Sequence, residues 1–160
     1  MNLKGLVMED FVNYKVPSMF LITSQCDFKC CTEQGLDISV CQNEPMIRQP
    51  TKNIPLYTIY KAYKDNDITK AIVVGGMEPM LQFDELYNMI YFFRESGIGD
   101  PFVIYTGYYP DEIENKLARL KTFQNIIVKF GRYIPDRPSV YDDVLGVTLV
   151  SNNQYAEKIS

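Results

Sequence analysis

Four cysteines are the residues of this chain best equipped for chemistry, and they lie close together. Cys26, Cys30 and Cys31 crowd one short segment, Cys41 follows just downstream, and the rest of the 160 residues contains no other. They come right after the first strongly apolar run, Met19–Phe20–Leu21–Ile22. That placement reads as a metal or redox site at the end of the first core strand. Thiolate sulfur suits zinc or an iron–sulfur cluster. Structural zinc commonly uses cysteine pairs two residues apart, whereas Cys26 and Cys30 have three residues between them and no second pair follows. Adjacent side chains such as Cys30 and Cys31 point in different directions. The candidate ligand set is therefore Cys26, Cys30 and Cys41, with Cys31 a neighbour and the fallback. Three thiolates on a four-iron cluster leave one iron open to a substrate or cofactor. Structural zinc and chemically inert cysteines are the alternatives. The chain has no histidine, which excludes histidine-based triads, zinc ligands and general bases.

The elements that must position such a site can be read from periodicity and breakers. The first strand is expected over Ser18–Thr23. Ser24–Pro50 shows no sustained period and reads as a long functional loop with a short helical turn; a loop of that length usually needs something to order it. Leu56, Tyr57, Ile59, Tyr60 and Tyr63 recur at helical spacing, so the stripe of Tyr57, Tyr60 and Tyr63 reads as helix packing. Ala71–Val74 is a buried-strand run stopped by Gly75–Gly76. Phe83, Leu86, Tyr87, Ile90 and Tyr91 mark a second helix, with Asp84 and Glu85 early in it, where the dipole favours acids. Phe102–Thr106 is the next strand. Pro110–Asp111–Glu112 opens a helix whose inner face is Ile113, Leu117 and Leu120. Ile126–Phe130 is another strand, Arg132–Asp143 is looser, Leu145–Val150 is a last strand, and Asn152–Ile159 reads as a short terminal helix or turn.

Alternating strands and helices, with nearly continuous apolar strands, argue for a parallel sheet covered by helices. The length favours one domain over 1–160, with the cysteine loop at 24–50. It is too short for a complete barrel of eight units. The expected fold is α/β: a partial, open TIM-like barrel of parallel strands with outer helices. Three strands end in glycine, and ligands in such folds bind at the carboxyl ends of strands. The cysteine loop, Gly75–Gly76 and Gly107 should therefore meet on one rim. Net charge is −4, from 16 basic and 20 acidic side chains. That balance argues against nucleic acid as the main partner. No apolar stretch reaches membrane-spanning length and no signal-peptide core is visible, so a cytoplasmic location with reduced thiols is expected.

Cys26-Asp-Phe-Lys-Cys30 and Gly75-Gly76-Met77-Glu78-Pro79 resemble motifs of the radical S-adenosylmethionine superfamily. More narrowly, the chain resembles the small activating proteins of anaerobic ribonucleotide reductases, through Tyr105-Thr106-Gly107-Tyr108 and the tail Leu149–Gln154 as well. It departs from the usual spacing of the third cysteine, whose place is taken by Glu33. Cys41-Gln42-Asn43 resembles the displaced family segment, and Met77 stretches the glycine motif.

The resemblance implies that Cys26, Cys30 and Cys41 hold a [4Fe-4S] cluster and are the catalytic ligands. S-adenosyl-L-methionine would chelate the open iron and be cleaved reductively to a 5′-deoxyadenosyl radical. That radical would install a glycyl radical on a large partner, an anaerobic ribonucleotide reductase. Electrons would come from a donor such as flavodoxin or ferredoxin. A radical enzyme acting on a small molecule or peptide, and a non-enzymatic metal-stabilised protein-binding module, are the other readings.

Cofactor contacts are expected from Phe28, Gly75, Gly76, Glu78, Tyr105, Thr106, Gly107 and Asn153. Each also has a plainer role. The glycines could be a strand-ending turn, Glu78 a solvent-exposed loop acid, Phe28 packing, and Tyr105–Gly107 the end of a core strand. Asn152, Asn153 and Gln154 could cap a helix. Lys129 and Arg132 could pair with a carboxylate or stand as solvated rim charges.

Overall fold

Short apolar runs flanked by glycine, proline and polar residues form the centre of the molecule. The computed structural model describes residues 1–160. Strands β2 (Ser18–Thr23), β4 (Ala71–Gly75), β5 (Phe102–Tyr105) and β6 (Ile126–Phe130) pair in parallel, in chain order. Antiparallel strands flank them: β1 (Asn2–Asp10) beside β2, β3 (Lys52–Asn53) beside β1, and β9 (Tyr155–Lys158) beside β6. The seven-stranded sheet is therefore largely parallel at its centre and open, with β3 and β9 as its edges.

The helices of more than one turn are α3 (Leu56–Lys64), α4 (Phe83–Glu95) and α5 (Glu114–Leu120), and each leads into the next parallel strand. One face of the sheet presents Met19, Leu21, Ile72, Val74, Phe102, Ile104, Ile126 and Val128. These pack with Ile59 and Tyr63 of α3, Leu86, Met89, Ile90 and Phe93 of α4, and Leu117 and Leu120 of α5. The period-two alternation of a strand makes this division. Phe93 packs edge-on against Phe102 and Tyr60, with ring centroids 5.5 and 5.7 Å away; each such pair adds about 0.5–1.5 kcal/mol beyond simple burial. The opposite face, with Ala71, Val73, Val103 and Ile127, packs under Tyr14, Leu145 and Leu149. The antiparallel pair β7 (Val140–Asp142) and β8 (Val147–Leu149) contributes to that cover. All three longer helices thus pack on one face of the sheet.

Register levels the strand ends. Ile22 stands opposite Gly75, Val74 opposite Ile104, and Tyr105 opposite Lys129. The segments that leave β2, β4, β5 and β6 therefore start from one rim.

Three segments differ from the sequence reading. β1 precedes the expected first strand. The tail read as a helix or turn is the edge strand β9, in which Ala156 is buried between exposed Tyr155 and Glu157. Residues 24–50 carry three single turns: α1 (Lys29–Thr32), a 3-10 turn at Ile38–Val40, and α2 (Glu44–Ile47). No helix is long and apolar enough to cross a membrane.

Candidate functional site

The rim is built around buried polar groups. Glu78, 5% exposed, ends the loop after β4. Its Oε1 accepts from Met80 N–H (2.9 Å) and Thr106 Oγ1 (2.8 Å), and its Oε2 accepts from Gly107 N–H (2.8 Å). Its own N–H donates to Gln25 O at 2.7 Å. Burial raises the Glu78 pKa, and the donors around it oppose that rise. Buried Gln82 adds a second tie, as its Oε1 accepts from Ser24 N–H (2.5 Å) and Gln25 N–H (3.2 Å). The start of the cysteine segment is thus tied to the end of β4.

Gly76 makes the turn out of β4 with φ of 80°, and a Cβ there would lie 2.5 Å from Ile22 Cγ2. Only glycine suits both conditions. Gly75 is tight for a different reason, since a Cβ would stand 3.0 Å from Tyr105 Cβ.

Beyond β6, Arg132 closes the rim. Its Nη1 donates to Glu112 Oε2 (2.8 Å), and its Nη2 donates to Glu112 Oε1 (2.5 Å) and Glu33 Oε1 (2.9 Å). Arg132 holds the Glu112 carboxyl down to about 2. Lys29 also reaches Glu112 (3.2 Å), so the clasp fastens α1 to the segment after β5. Lys129 is arranged differently. It is 6% exposed, its Nζ donates to Gly131 O (2.9 Å), and it makes no ion pair. Burial pushes its pKa down to about 8. The ammonium lies 5.9 Å from the centroid of the Tyr105 ring.

These elements surround a cavity of about 330 Å³. Of the sequence candidates, Cys26, Cys30, Cys41, Gly76, Glu78, Tyr105, Thr106 and Gly107 line it, as do Lys129 and Arg132. Phe28, Gly75 and Asn153 do not. Phe28 starts α1 with a left-handed backbone (φ 57°). Asn153 Nδ2 donates to Arg132 O (2.8 Å) and Tyr109 OH (3.1 Å), a structural role. Lys129 and Arg132 are buried, not solvated rim charges, and Glu78 is not an exposed loop acid. The sequence reading did not assign Asn13, Phe20, Met77, Tyr108 and Leu149 to the wall; Met77, Tyr108 and Leu149 lie in the segments it singled out, whereas Asn13 and Phe20 carry no local signal.

One thiol–thiol contact is present, between Cys30 and Cys31. Cys26 Sγ accepts from Phe28 N–H at 3.3 Å, and burial pushes this thiol up to about 12. Cys30 Sγ lies 3.8 Å from Cys31 Sγ, and Cys31 is buried away from the cavity. The influence of the Cys30 thiol lowers the Cys41 pKa to about 6, and that of Cys41 raises the Cys30 pKa.

No group of three or more histidine, cysteine, aspartate or glutamate side chains is arranged to hold a metal ion. That finding overturns the [4Fe-4S] cluster expected in the cysteine loop. The cofactor pair of cluster and S-adenosyl-L-methionine goes with it. So do the radical oxidoreductase activity and the narrower resemblance to reductase-activating proteins of the radical S-adenosylmethionine superfamily. The metal-stabilised binding module lacks its metal site for the same reason.

No curated protein and no solved structure matches the chain. One family model does, the 4Fe-4S single cluster domain, and it covers residues 17–144. That span runs from just before β2 through β7 and takes in the rim and all four cysteines. On that match the chain belongs to the family of 4Fe-4S single cluster domains, as a member whose cysteines are not arranged around a common metal centre.

Proposed function

We propose that this protein binds a small, anionic and partly apolar molecule in the rim cavity, with the Lys129 ammonium as its charge partner. The observation that carries the reading is Lys129 itself: a buried lysine whose one hydrogen-bond partner is neutral and which forms no ion pair, the Glu78 carboxyl acting on it only from beyond contact. A buried charge is costly unless it is paired, and the cavity beside it is where a paired anion would sit. Arg132 is already committed to Glu112 and Glu33, and Glu78 to three donors. Phe20, Met77, Tyr105 and Leu149 supply an apolar wall, and the volume falls in the range of small-ligand sites. We read the open sheet as a partial TIM-like barrel with α3, α4 and α5 outside, which puts the cavity at the mouth where such folds bind ligands.

The test uses two fluorescent naphthalene dyes that differ in charge, anilinonaphthalene sulfonate and neutral phenylnaphthylamine. The sulfonate should bind once per chain. Lys129→Met should weaken it about tenfold or more, because losing the partner of a desolvated charge costs about 2 kcal/mol or more. The neutral dye should bind the two proteins alike. Equal sulfonate affinity in both proteins would refute the reading.

A further inference from the structure

The two ends of the sheet are finished differently. At one end β9 is shielded: Ala156 N–H donates to Asp142 Oδ2 of β7 (2.8 Å), so a side chain stands where a further strand would pair. At the other end β3 covers β1 only at Asn2 and Leu3. Continued in the same register, β3 would set Pro50 opposite Gly5, and proline has no N–H to give to a ladder. No other strand lies outside β1, so its outer backbone from Gly5 to Glu9 has no strand partner. One side-chain contact reaches this stretch, from Asn66 Nδ2 to Met8 O at 3.5 Å. An unpaired edge of this kind is a template for a strand from another chain.

The side chains along this edge are apolar and open to solvent. Val7 is 40% exposed and Met8 37%, and Phe11 and Val12 just beyond the strand are more exposed still. Exposed Ile68 belongs to the loop that Asn66 brings beside Met8 and Glu9. Leu6 stands opposite Leu21 on the helix-covered face, and Val7 opposite Phe20 on the other. Strand alternation returns Met8 to the side of Leu6. A basic residue, Lys4, closes one end of the open stretch and an acidic one, Glu9, the other. Neither makes an ion pair within the chain; Lys4 Nζ donates only to the carbonyls of Ile47 (3.1 Å) and Gln49 (2.6 Å).

We propose that the open edge of β1 joins two copies of this chain, paired antiparallel about a two-fold axis at Val7. Such a contact uses the same patch twice and must complement itself. This one does. Val7 lies against Val7 of the second copy, and Leu6 against its Met8, so both faces of the joined sheet gain apolar cross-strand pairs. The Lys4 end of each strand meets the Glu9 end of the other, and the symmetry makes that pairing twice. Each β3 then lies past the end of the opposing β1, which stops at Asp10. Irregularities between Leu3 and Gly5 and between Val7 and Asp10 bracket the regular stretch. The contact is therefore short, and a dissociation constant of about 1–100 µM suits so small an interface.

The experiment is sedimentation equilibrium of the full chain in reducing buffer, from about 5 to 500 µM. Monomer and dimer should exchange across that range. Val7→Lys sets two like charges against each other at the axis and should weaken the dimer about tenfold or more. Lys4→Glu and Glu9→Lys should each be monomeric alone, because each places like charges together at both ends of the contact. An equal mixture of the two should dimerise as the parent does, since every pair is again of opposite sign. Far-ultraviolet circular dichroism checks the fold of each variant. Val7 and Glu9 are exposed, so Val7→Lys and Glu9→Lys carry the test if Lys4→Glu does not fold. A chain that stays monomeric to about 500 µM overturns the proposal and leaves the edge to a strand of a different protein. A dimer that Val7→Lys leaves intact, or charge variants that dimerise alone as tightly as in the mixture, overturns it too by placing the interface elsewhere.

Discussion

Replacing Lys129 by methionine tests the central charge of the cavity, because stability and binding should move in opposite directions. A lysine whose pKa drops from about 10.4 to about 8 carries roughly 3 kcal/mol of disfavour for its charged form in the folded state. Methionine fills a similar volume and removes that term. It also removes the hydrogen bond to Gly131 O, worth about 1.5 kcal/mol for a charged donor. Gly131 O still accepts from Gln154 Nε2 (3.2 Å), so no buried carbonyl is orphaned. The variant should therefore be more stable than the parent by about 1–2 kcal/mol near neutral pH, a rise of a few degrees in Tm.

The pH dependence fixes the cause. Below about pH 8 the lysine is protonated in both states and the parent carries the full penalty. Between about pH 8 and about 10.4 the unfolded chain keeps a proton that the folded one has released, so parental stability climbs by about 1.4 kcal/mol per pH unit relative to the variant. Above that window the penalty is gone. Urea denaturation of both proteins across this range, followed by far-ultraviolet circular dichroism, measures the difference directly. A variant destabilised by more than about 1 kcal/mol at neutral pH, or a difference that stays flat with pH, would show that the ammonium is not the strained group inferred here.

Two further outcomes follow from the rim. Gly76→Ala should cost about 2–4 kcal/mol, combining left-handed strain with the contact against Ile22 Cγ2. Denaturant midpoints of Gly76→Ala with and without Ile22→Ala should show that the costs are not additive. Arg132→Leu should let the Glu112 carboxyl climb from about 2 toward the ordinary acid range, as read by carbon NMR of that side chain. The folded pKa is depressed, so the parent loses this contribution as pH falls from about 4.3 toward 2, and the variant should lack that slope. The amides of Cys31 and Glu33 should also exchange faster in the variant, because α1 loses its tie to the rim.

The sheet centre was legible because Ala71–Val74, Phe102–Ile104 and Ile126–Val128 are runs of apolar residues, as strands buried on both faces favour; Lys129 alone interrupts the last of them. Helices α3 and α4 were legible from their 3.6-residue period. β1 was not: Lys4, Glu9 and Asp10 interrupt its apolar residues, and its strand character comes from pairing with β2. β9 buries only Ala156, too little pattern to separate a strand from a turn. At the site, the glycine-ended strands correctly marked the rim. Thiol spacing, however, could not say whether three sulfurs share a centre, because that depends on how α1 and the 38–40 turn fold back. Nor does composition reveal that Lys129 and Arg132 are buried, since their burial is decided by segments far away in the chain.

Glu78 has a consequence for how the rim moves. One carboxylate receives the amides of Met80 and Gly107 and the hydroxyl of Thr106, while its own amide reaches back to Gln25. Freeing Met80, Thr106 or Gly107 strips a donor from the same buried carboxyl, and freeing Gln25 strips an acceptor from the amide of the same residue. Opening of the rim should therefore be collective, with the segments after β2, β4 and β5 loosening together, so that their backbone amides exchange hydrogen with one common free energy, not with three separate ones.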